Sequence, residues 1–322
     1  MTTYRQLKGY NVKRVDSDPT NAQVGQVWYN DTLNQIKVRT TTLAAWGSGG
    51  NLVLARRGMG SAGTQTAGLA FGGTPPPEGN TVSEEYNGSS WTEGNNLGTG
   101  RTRTAGAGTQ TAGLGFGGDQ NATVKVETEE YNGTSWSEQN NLSTGRLGLG
   151  GAGTQTAAIA FGGTPPTTAE TEEYGGTSWT AGGDMPVAKY SATGAGTLTA
   201  GLAMGGTTGS SDYLATTEEY NGTAWTAGGN MNTGRSDMGG GGTQTAGIVF
   251  GGFTGSNTGS TELYDGSSWT TSAASLATAR RIVGGCGTQS LALAFGGFAS
   301  SDSAATEEFT NTTEFSNKLD VS

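Results

Sequence analysis

"AGLAFGGTPP" at residues 67–76 and "AAIAFGGTPP" at 157–166 make the same statement twice: a short apolar strand halted by a glycine pair. The pair returns at Gly72-Gly73, Gly117-Gly118, Gly162-Gly163, Gly205-Gly206, Gly251-Gly252 and Gly296-Gly297, at spacings of 45, 45, 43, 46 and 45 residues. One period held through six copies is the mark of a repeat architecture. With 59 glycines and 32% apolar residues the chain could pass for a disordered one. Its apolar residues keep phase with the glycines, however, so glycine is assigned to turns and to tightly converging strands.

Residues 101–142, "RTRTAGAGTQTAGLGFGGDQNATVKVETEEYNGTSWSEQNNL", serve as the type unit. Small, β-branched and aromatic segments punctuated by Gly-Thr, Gly-Gly and Asn-Gly predict strands and turns. Four strands fit: a near Thr102–Thr109, b near Ala112–Gly117, c near Val124–Asn132 and d near Ser135–Glu138. Asn87-Gly88, Asn132-Gly133, Asn221-Gly222 and Asp265-Gly266 fall at the c–d junction, where a two-residue type I′ hairpin is expected. The Asn-Gly-Ser/Thr triplets also match the N-glycosylation acceptor pattern, but "MTTYRQLKGYNVKRVD" lacks the apolar run of a secretion signal and the turn reading is preferred.

Further landmarks keep register. Tyr or Phe recurs at 86, 131, 174, 220, 264 and 309, and two residues earlier stands Glu84, Glu129, Glu172, Glu218, Glu262 or Glu307. The tryptophans Trp46, Trp91, Trp136, Trp179, Trp225 and Trp269 are each followed by Leu or Met and, four residues on, by Arg56, Arg101, Arg146, Lys189, Arg235 or Arg280. Apolar strand, Gly-Gly, Glu-x-Tyr, Trp, then Leu/Met and a base: this order resembles the Kelch repeat. The resemblance implies an all-β fold, a propeller of four-stranded antiparallel blades. Strands a and b carry few large apolar residues, so a looser or wetter centre is expected.

The tryptophan series begins one period ahead of the first glycine pair. The expected fold is therefore a six-bladed propeller whose last blade takes strands a–c from the C-terminal end and strand d from around Thr42–Trp46. Closure of this kind leaves no open edge between first and last blades. Two alternatives are a self-contained last blade using Phe315 in "TTEFSNKL", and a seventh blade from "QVWYND" and "NQIKVRTT". Residues 1–40 then form an N-terminal hairpin or docking segment and 41–322 the propeller. The six acids and six bases are expected to pair and tie blade to blade; an acidic ring for a metal or substrate is the functional alternative. Gln65, Gln110, Gln155, Gln244 and Gln289, with Leu198 as the exception, are assigned to a–b hairpin geometry.

Composition narrows the chemistry. A net charge of −10 with only 17 Lys and Arg argues against nucleic acid. The lone Cys286 rules out an intrachain disulfide and a thiolate cage, and is read as a small buried side chain. No apolar stretch is long enough to insert in a membrane. Zero histidines removes the His-based triads, metal sites and acid–base pairs. No acid pair stands out from the repeat, so no enzyme, cofactor or metal is expected, with a carboxylate-based glycoside hydrolase as a remote alternative.

Variation between copies directs attention to the b–c loops: "TPPPEGNTVS", "DQNATVK", "TPPTTAE", "TTGSSDYLAT", "FTGSNTGS" and "FASSDSAA". All leave one face of the disc, and a constant frame with a variable face suits recognition. Candidate ligand-binding residues are Glu78, Asn80, Asp119, Asn121, Asp212, Tyr213, Phe253 and Phe298. The segment "DSDPTNAQVGQVWYNDTLNQIKV" resembles a stretch of bacteriophage structural and tail-associated proteins, and the Gly/Thr-rich repeats are similar to Kelch-like chains of marine phages. That resemblance implies a virion protein assembled in the host cytoplasm. Its N-terminal segment would contact other virion proteins, its loop face would meet a host glycan or protein, and it could form a homo-oligomer. Trp28, out of phase with the other six, is expected to pack this hairpin against the propeller or a virion neighbour. A bacterial protein-binding Kelch scaffold is the alternative.

Overall fold

Phe71 ends strand b of the first repeat, and the next two residues, Gly72 and Gly73, take φ of +69° and +97°. A β-carbon on Gly72 would lie 2.5 Å from the Arg101 carbonyl oxygen, and one on Gly73 2.7 Å from that of Arg57. Backbone region and crowding thus both demand glycine, and all six pairs share this conformation. The turn reverses the chain into the b–c loop.

The computed structural model describes residues 12–19, 26–39, 44–74, 80–209, 211–311 and 315–317, among which no helix occurs. Six antiparallel sheets of four strands follow one another. Blade 1 holds Gly60–Thr64, Ala67–Phe71, Ser83–Tyr86 and Trp91–Glu93; blade 2 holds Ala105–Thr109, Ala112–Phe116, Thr128–Tyr131 and Trp136–Gln139. Blades 3, 4 and 5 occupy residues 150–181, 193–227 and 239–275. Blade 6 takes Gly284–Gly287, Leu291–Phe295 and Thr306–Thr310 from one end of the ring and Ala45–Ser48 from the other, with Phe309 opposite Trp46. Each strand a neighbours the next, the last beside the first, so the sheets form a closed six-bladed propeller.

Asp119–Gln120 and Thr123–Val124 pair as a two-stranded hairpin in the loop of blade 2, and the remaining described strands, Lys13–Val15, Val27–Asn30, Gln35–Arg39 and Phe315–Asn317, form a separate sheet in that order, parallel between the first two. Contacts divide the chain into Ala44–Thr310 and a unit drawn from Met1–Leu43 and Asn311–Ser322. The C-terminal end therefore groups with the N-terminal segment, not with the ring as the 41–322 boundary had it. Phe315 pairs with Arg39 and supplies no blade strand, and the hairpin over 27–39 builds no seventh blade. Within this unit Trp28 is fully buried. The Asp18 carboxylate accepts from Lys37 Nζ (2.6 Å), Asn30 Nδ2 (2.7 Å) and Trp28 Nε1 (2.9 Å), bonds that lower its pKa to about 2.

The c–d junction departs from the type I′ expectation. Tyr86 pairs with Trp91, leaving four loop residues, and of the Asn-Gly pair only Gly88 has positive φ. Asn87 Oδ1 instead accepts from the N–H groups of Ser89 and Ser90, both at 3.0 Å. Asparagine is there to cap the turn through its side chain.

Neighbouring blades meet through a repeated set of contacts. Each Trp ring packs on the Phe ending strand b of the preceding blade, as in Trp136–Phe71 and Trp91–Phe295, both with centroids 4.9 Å apart; Met204 replaces Phe opposite Trp269. The Trp Nε1 donates to a hydroxyl at the start of that blade's strand c, for example Trp136 to Ser83 (2.8 Å) and Trp46 to Thr261 (2.9 Å). Gln110 Nε2 reaches the carbonyls of Gly68 (3.0 Å) and Tyr86 (2.7 Å) in blade 1. Those glutamines are staples between blades, more than hairpin residues, and Leu198 lacks the amide to make the bond.

The bases sit on the crossovers that enter each blade. Arg56–Glu84 (3.0 Å), Arg146–Glu172 (2.7 Å), Lys189–Glu218 and Arg280–Glu307 (both 2.5 Å), Arg101–Glu129 and Arg235–Glu262 are all buried ion pairs. The Arg101 carbonyl accepts from Gly73 N–H of blade 1 (2.8 Å), while its Nη1 donates to the Glu127 carbonyl of blade 2 (2.6 Å). Each base thus has its backbone in one blade and its side chain in the next. Burial pulls the Arg56 pKa down to about 10 against the attraction of Glu84.

A second polar ring has one gap. The phenols of Tyr86, Tyr131, Tyr174, Tyr220 and Tyr264 donate to Glu308, Glu85, Glu130, Glu173 and Glu219 of the preceding blades. At the sixth seam, between blades 5 and 6, donor and acceptor vanish together: Phe309 faces the position of Leu263, and both join one apolar cluster.

Two outcomes follow. Deleting residues 1–48 removes the closing strand with Trp46 and should cost the ring about 3–5 kcal/mol, read as a lowered Tm; unchanged unfolding would overturn the closure. Phe309→Tyr and Leu263→Glu should each destabilise by about 1–3 kcal/mol, whereas the double variant should recover part of that loss in a double-mutant cycle.

Candidate functional site

Strand b ends, strand c starts, and the d-to-a crossovers share one face of the ring. Its local frame is set by the buried base. Arg56 Nη1 donates to the Gly72 carbonyl (3.0 Å) and the Val82 carbonyl (2.8 Å), the residues bounding the b–c loop of blade 1. With both ends pinned, the loop between them is free to differ. Where Lys189 replaces arginine, its Nζ reaches only Glu218 and Thr216 Oγ1, and Asp212 stiffens that loop from within.

Crossover residues pair by short bridges with the residue after each glycine doublet: Arg57 with Thr74, Thr102 with Asp119, Leu147 with Thr164, Tyr190 with Thr207, Ser236 with Phe253 and Arg281 with Phe298. The next six residues, Gly58, Arg103, Gly148, Ser191, Asp237 and Ile282, all have φ between +50° and +66°. They are chained by backbone hydrogen bonds, from Arg103 N–H to Gly58 O (2.6 Å) round to Ile282 N–H to Asp237 O (2.6 Å). A non-glycine residue is strained there by about 1–3 kcal/mol, yet four of the six positions carry one. Inside this collar lies a cavity of about 110 Å³ narrowed by Met59, Leu149, Met238 and Val283. Beyond it the glycine- and alanine-rich strands a enclose a channel of about 230 Å³, the open centre their small residues predict.

Outside the collar runs a line of aromatic and guanidinium groups. Tyr213 meets Phe253 edge-on at 5.4 Å. Arg281 Cζ lies 4.5 Å from the Phe253 centroid and 5.5 Å from that of Phe298, and Arg57 Cζ 4.7 Å from Phe298. Arg57 closes the line on Asp302 at 2.6 Å. Loops of blades 4, 5 and 6 and the crossover into blade 1 thereby form one surface. All these side chains are half-buried, held in place yet reachable.

The predicted residues divide. Tyr213, Phe253 and Phe298 come together in the line. Asp119 is buried and lines a cavity of about 170 Å³ with Arg57, Thr74, Thr102, Arg103 and Ile282. Asp212 caps its own loop, accepting from Thr207 Oγ1 (2.8 Å), Thr208 N–H (3.2 Å) and Thr208 Oγ1, and these hydroxyl bonds lower its pKa. Asn80 likewise turns inward, its Oδ1 accepting from Val82 N–H at 3.1 Å. Asn121 is exposed at a hairpin tip with Ala122, the one place among the described residues where two consecutive non-glycine residues share positive φ. Glu78 lies outside the described residues.

Sequence reasoning missed Arg57, Arg103, Arg281, Ser191, Asp237 and Asp302. A signal existed: within 44–310, Arg57, Arg103, Lys125 and Arg281 are the bases left over when the six repeat positions are removed. All four lie on this face. Burial raises the pKa of Asp237, opposed by a hydrogen bond from Ser191 and by the charges of Arg103 and Arg281. Cys286 lines the channel wall, and burial pushes its thiol up to about 12, so it is no nucleophile.

No protein-family model matches the chain, and no curated protein does. Among solved structures it is similar to that of YjhT, with a TM-score of 0.67 and 14% identity over 83% of this chain and 99% of that one. At that identity the likeness establishes the fold alone.

Asp237 gives a test of burial at the collar. Its pKa is raised on folding, so its ionised form is disfavoured in the native state: stability is full at low pH and falls as pH rises above about 4. Asp237→Asn, which cannot ionise, should gain in Tm relative to wild type as pH goes from about 3 to about 7; a pH-independent difference would sink this account.

Proposed function

We propose that the chain is a non-enzymatic recognition protein of a bacteriophage particle, tail-associated, whose b–c loop face engages a glycan on the host surface. The observation that carries the reading is the continuous line Tyr213, Phe253, Arg281, Phe298, Arg57, built from four successive blades. Aromatic faces and edges beside fixed polar groups are the materials with which proteins hold sugar rings, apolar on one side and hydroxylated at the rim. The same face is the one on which the repeats cease to repeat.

The virion assignment rests on the sequence resemblances: the Kelch-like landmarks in their Gly/Thr-rich phage style, and residues 16–38. In this reading the N-terminal unit contacts neighbouring virion proteins and the ring is displayed. Absence of histidine and of any isolated acid pair supports binding over catalysis.

Screening the full chain on a broad glycan array should yield binding that falls at least about tenfold in the triple variant Tyr213→Ala, Phe253→Ala, Phe298→Ala, since stacked aromatics contribute roughly 1–3 kcal/mol each. Binding unaffected by the variant would move the site elsewhere. Absence of binding to every glycan would turn the reading towards a protein-contacting virion component.

A further inference from the structure

The charges around the collar balance. Arg57 is paired with Asp302. Arg103 and Arg281 both act on Asp237. Asp119 sits in the 170 Å³ cavity whose wall also holds Arg57 and Arg103. Three arginines and three aspartates therefore stand around the collar, next to the aromatic line and continuing past Arg57 to blade 2. A site built for an anion would leave its cations uncompensated, and one for a cation its acids; this one offers fixed donors and acceptors without net charge.

The cavity has the same mixed character. Thr74 and Thr102 hydroxyls are held only by long bonds, 3.5 Å to Arg57 O and 3.4 Å to Gly58 O. The Arg103 guanidinium is exposed, its charge offset by Asp237 and by Asp119 of the same cavity wall and not by a direct ion pair among the described residues. Ala122, Gly58 and Ile282 supply apolar wall. At about 170 Å³ it lies below the roughly 300 Å³ of drug-sized pockets, so it holds one small unit and not a chain. Sugar hydroxyls both donate and accept, and a carboxylate with a guanidinium can serve a vicinal pair of them.

Resting on the glycan reading above, we infer that the ligand is an uncharged glycan, and that one of its neutral sugar units seats in the cavity formed by Arg57, Thr74, Thr102, Arg103 and Asp119, while the chain continues along the aromatic line.

The experiment compares neutral oligosaccharides with the same backbones carrying sulfate or carboxylate groups, each titrated into the full chain from about 0.05 to about 0.5 M salt. The expected result is preference for the neutral series, a Kd that moves less than about twofold across that salt range, and a loss of about tenfold or more in Arg103→Gln, whose side chain is exposed and whose Tm is checked to be unchanged. Asp119→Asn, checked for unchanged Tm, should weaken binding similarly. Preference for the sulfated or carboxylated series, or steep weakening with salt, would overturn the inference while leaving the glycan reading in place. Normal affinity in Arg103→Gln and Asp119→Asn, with loss only in the aromatic variant, would place the sugar on the line and overturn the cavity assignment. Binding to no member of either series would overturn both.

Discussion

A guanidinium buried against one carboxylate is costly to assemble, because each ion gives up its hydration. In this ring the cost is offset by the number of other groups the arginine satisfies. Its carbonyl takes the N–H of the glycine doublet behind it, its Nη1 takes the carbonyls at both ends of the loop ahead, and its partner Glu also accepts crossover N–H groups, as Glu129 does from Gly98 at 2.7 Å. Blade order, crossover path and loop ends all hang on that pair. Removing one partner strands the other charge together with several backbone groups.

From this constraint comes the division of labour between frame and face. The Trp–Phe packing, the glutamine staples and the Tyr–Glu bonds use the same positions in blade after blade, and their few lapses are local: Leu198, Met204, and Phe309 with Leu263. Residues between the pinned loop ends are released from the shared frame and answer only to their own loop, as Asp212 does to Thr207 and Thr208. Where a charged or bulky side chain does appear in the strained collar, as at Arg103, Asp237 and Ile282, glycine would have served the backbone better.

Much of the frame could be read from residue spacing because each landmark answers a local demand: two left-handed residues need Gly-Gly, and a strand pair needs Tyr opposite Trp. The phase of Trp46 even revealed which strand closes the ring. What escaped was reach. Gln110 looks like a turn residue, since nothing in its neighbourhood says that its amide extends 42 residues back to Gly68. The Asn-Gly pairs suggested a two-residue turn because side-chain capping and a type I′ backbone favour the same residues. At the candidate site the aromatic members stood out against polar loops, whereas Arg57, Arg103 and Arg281 were hidden beside the periodic bases that share their chemistry. Asp237 and Ser191 sat in crossovers that the loop comparison passed over.

The aromatic line covers only one arc of a ring whose architecture is nearly sixfold. A fully symmetric propeller would offer six equal, weak footholds and bind by statistical multiplicity, with any ligand free to rotate among them. Here the loop of blade 3 contributes "TPPTTAE" where blades 5 and 6 supply Phe253 and Phe298. As the glycan-binding face proposed above, the line makes the scaffold univalent and directional: one ligand per ring, approached with a defined handedness, so that any avidity would come from the number of rings displayed side by side.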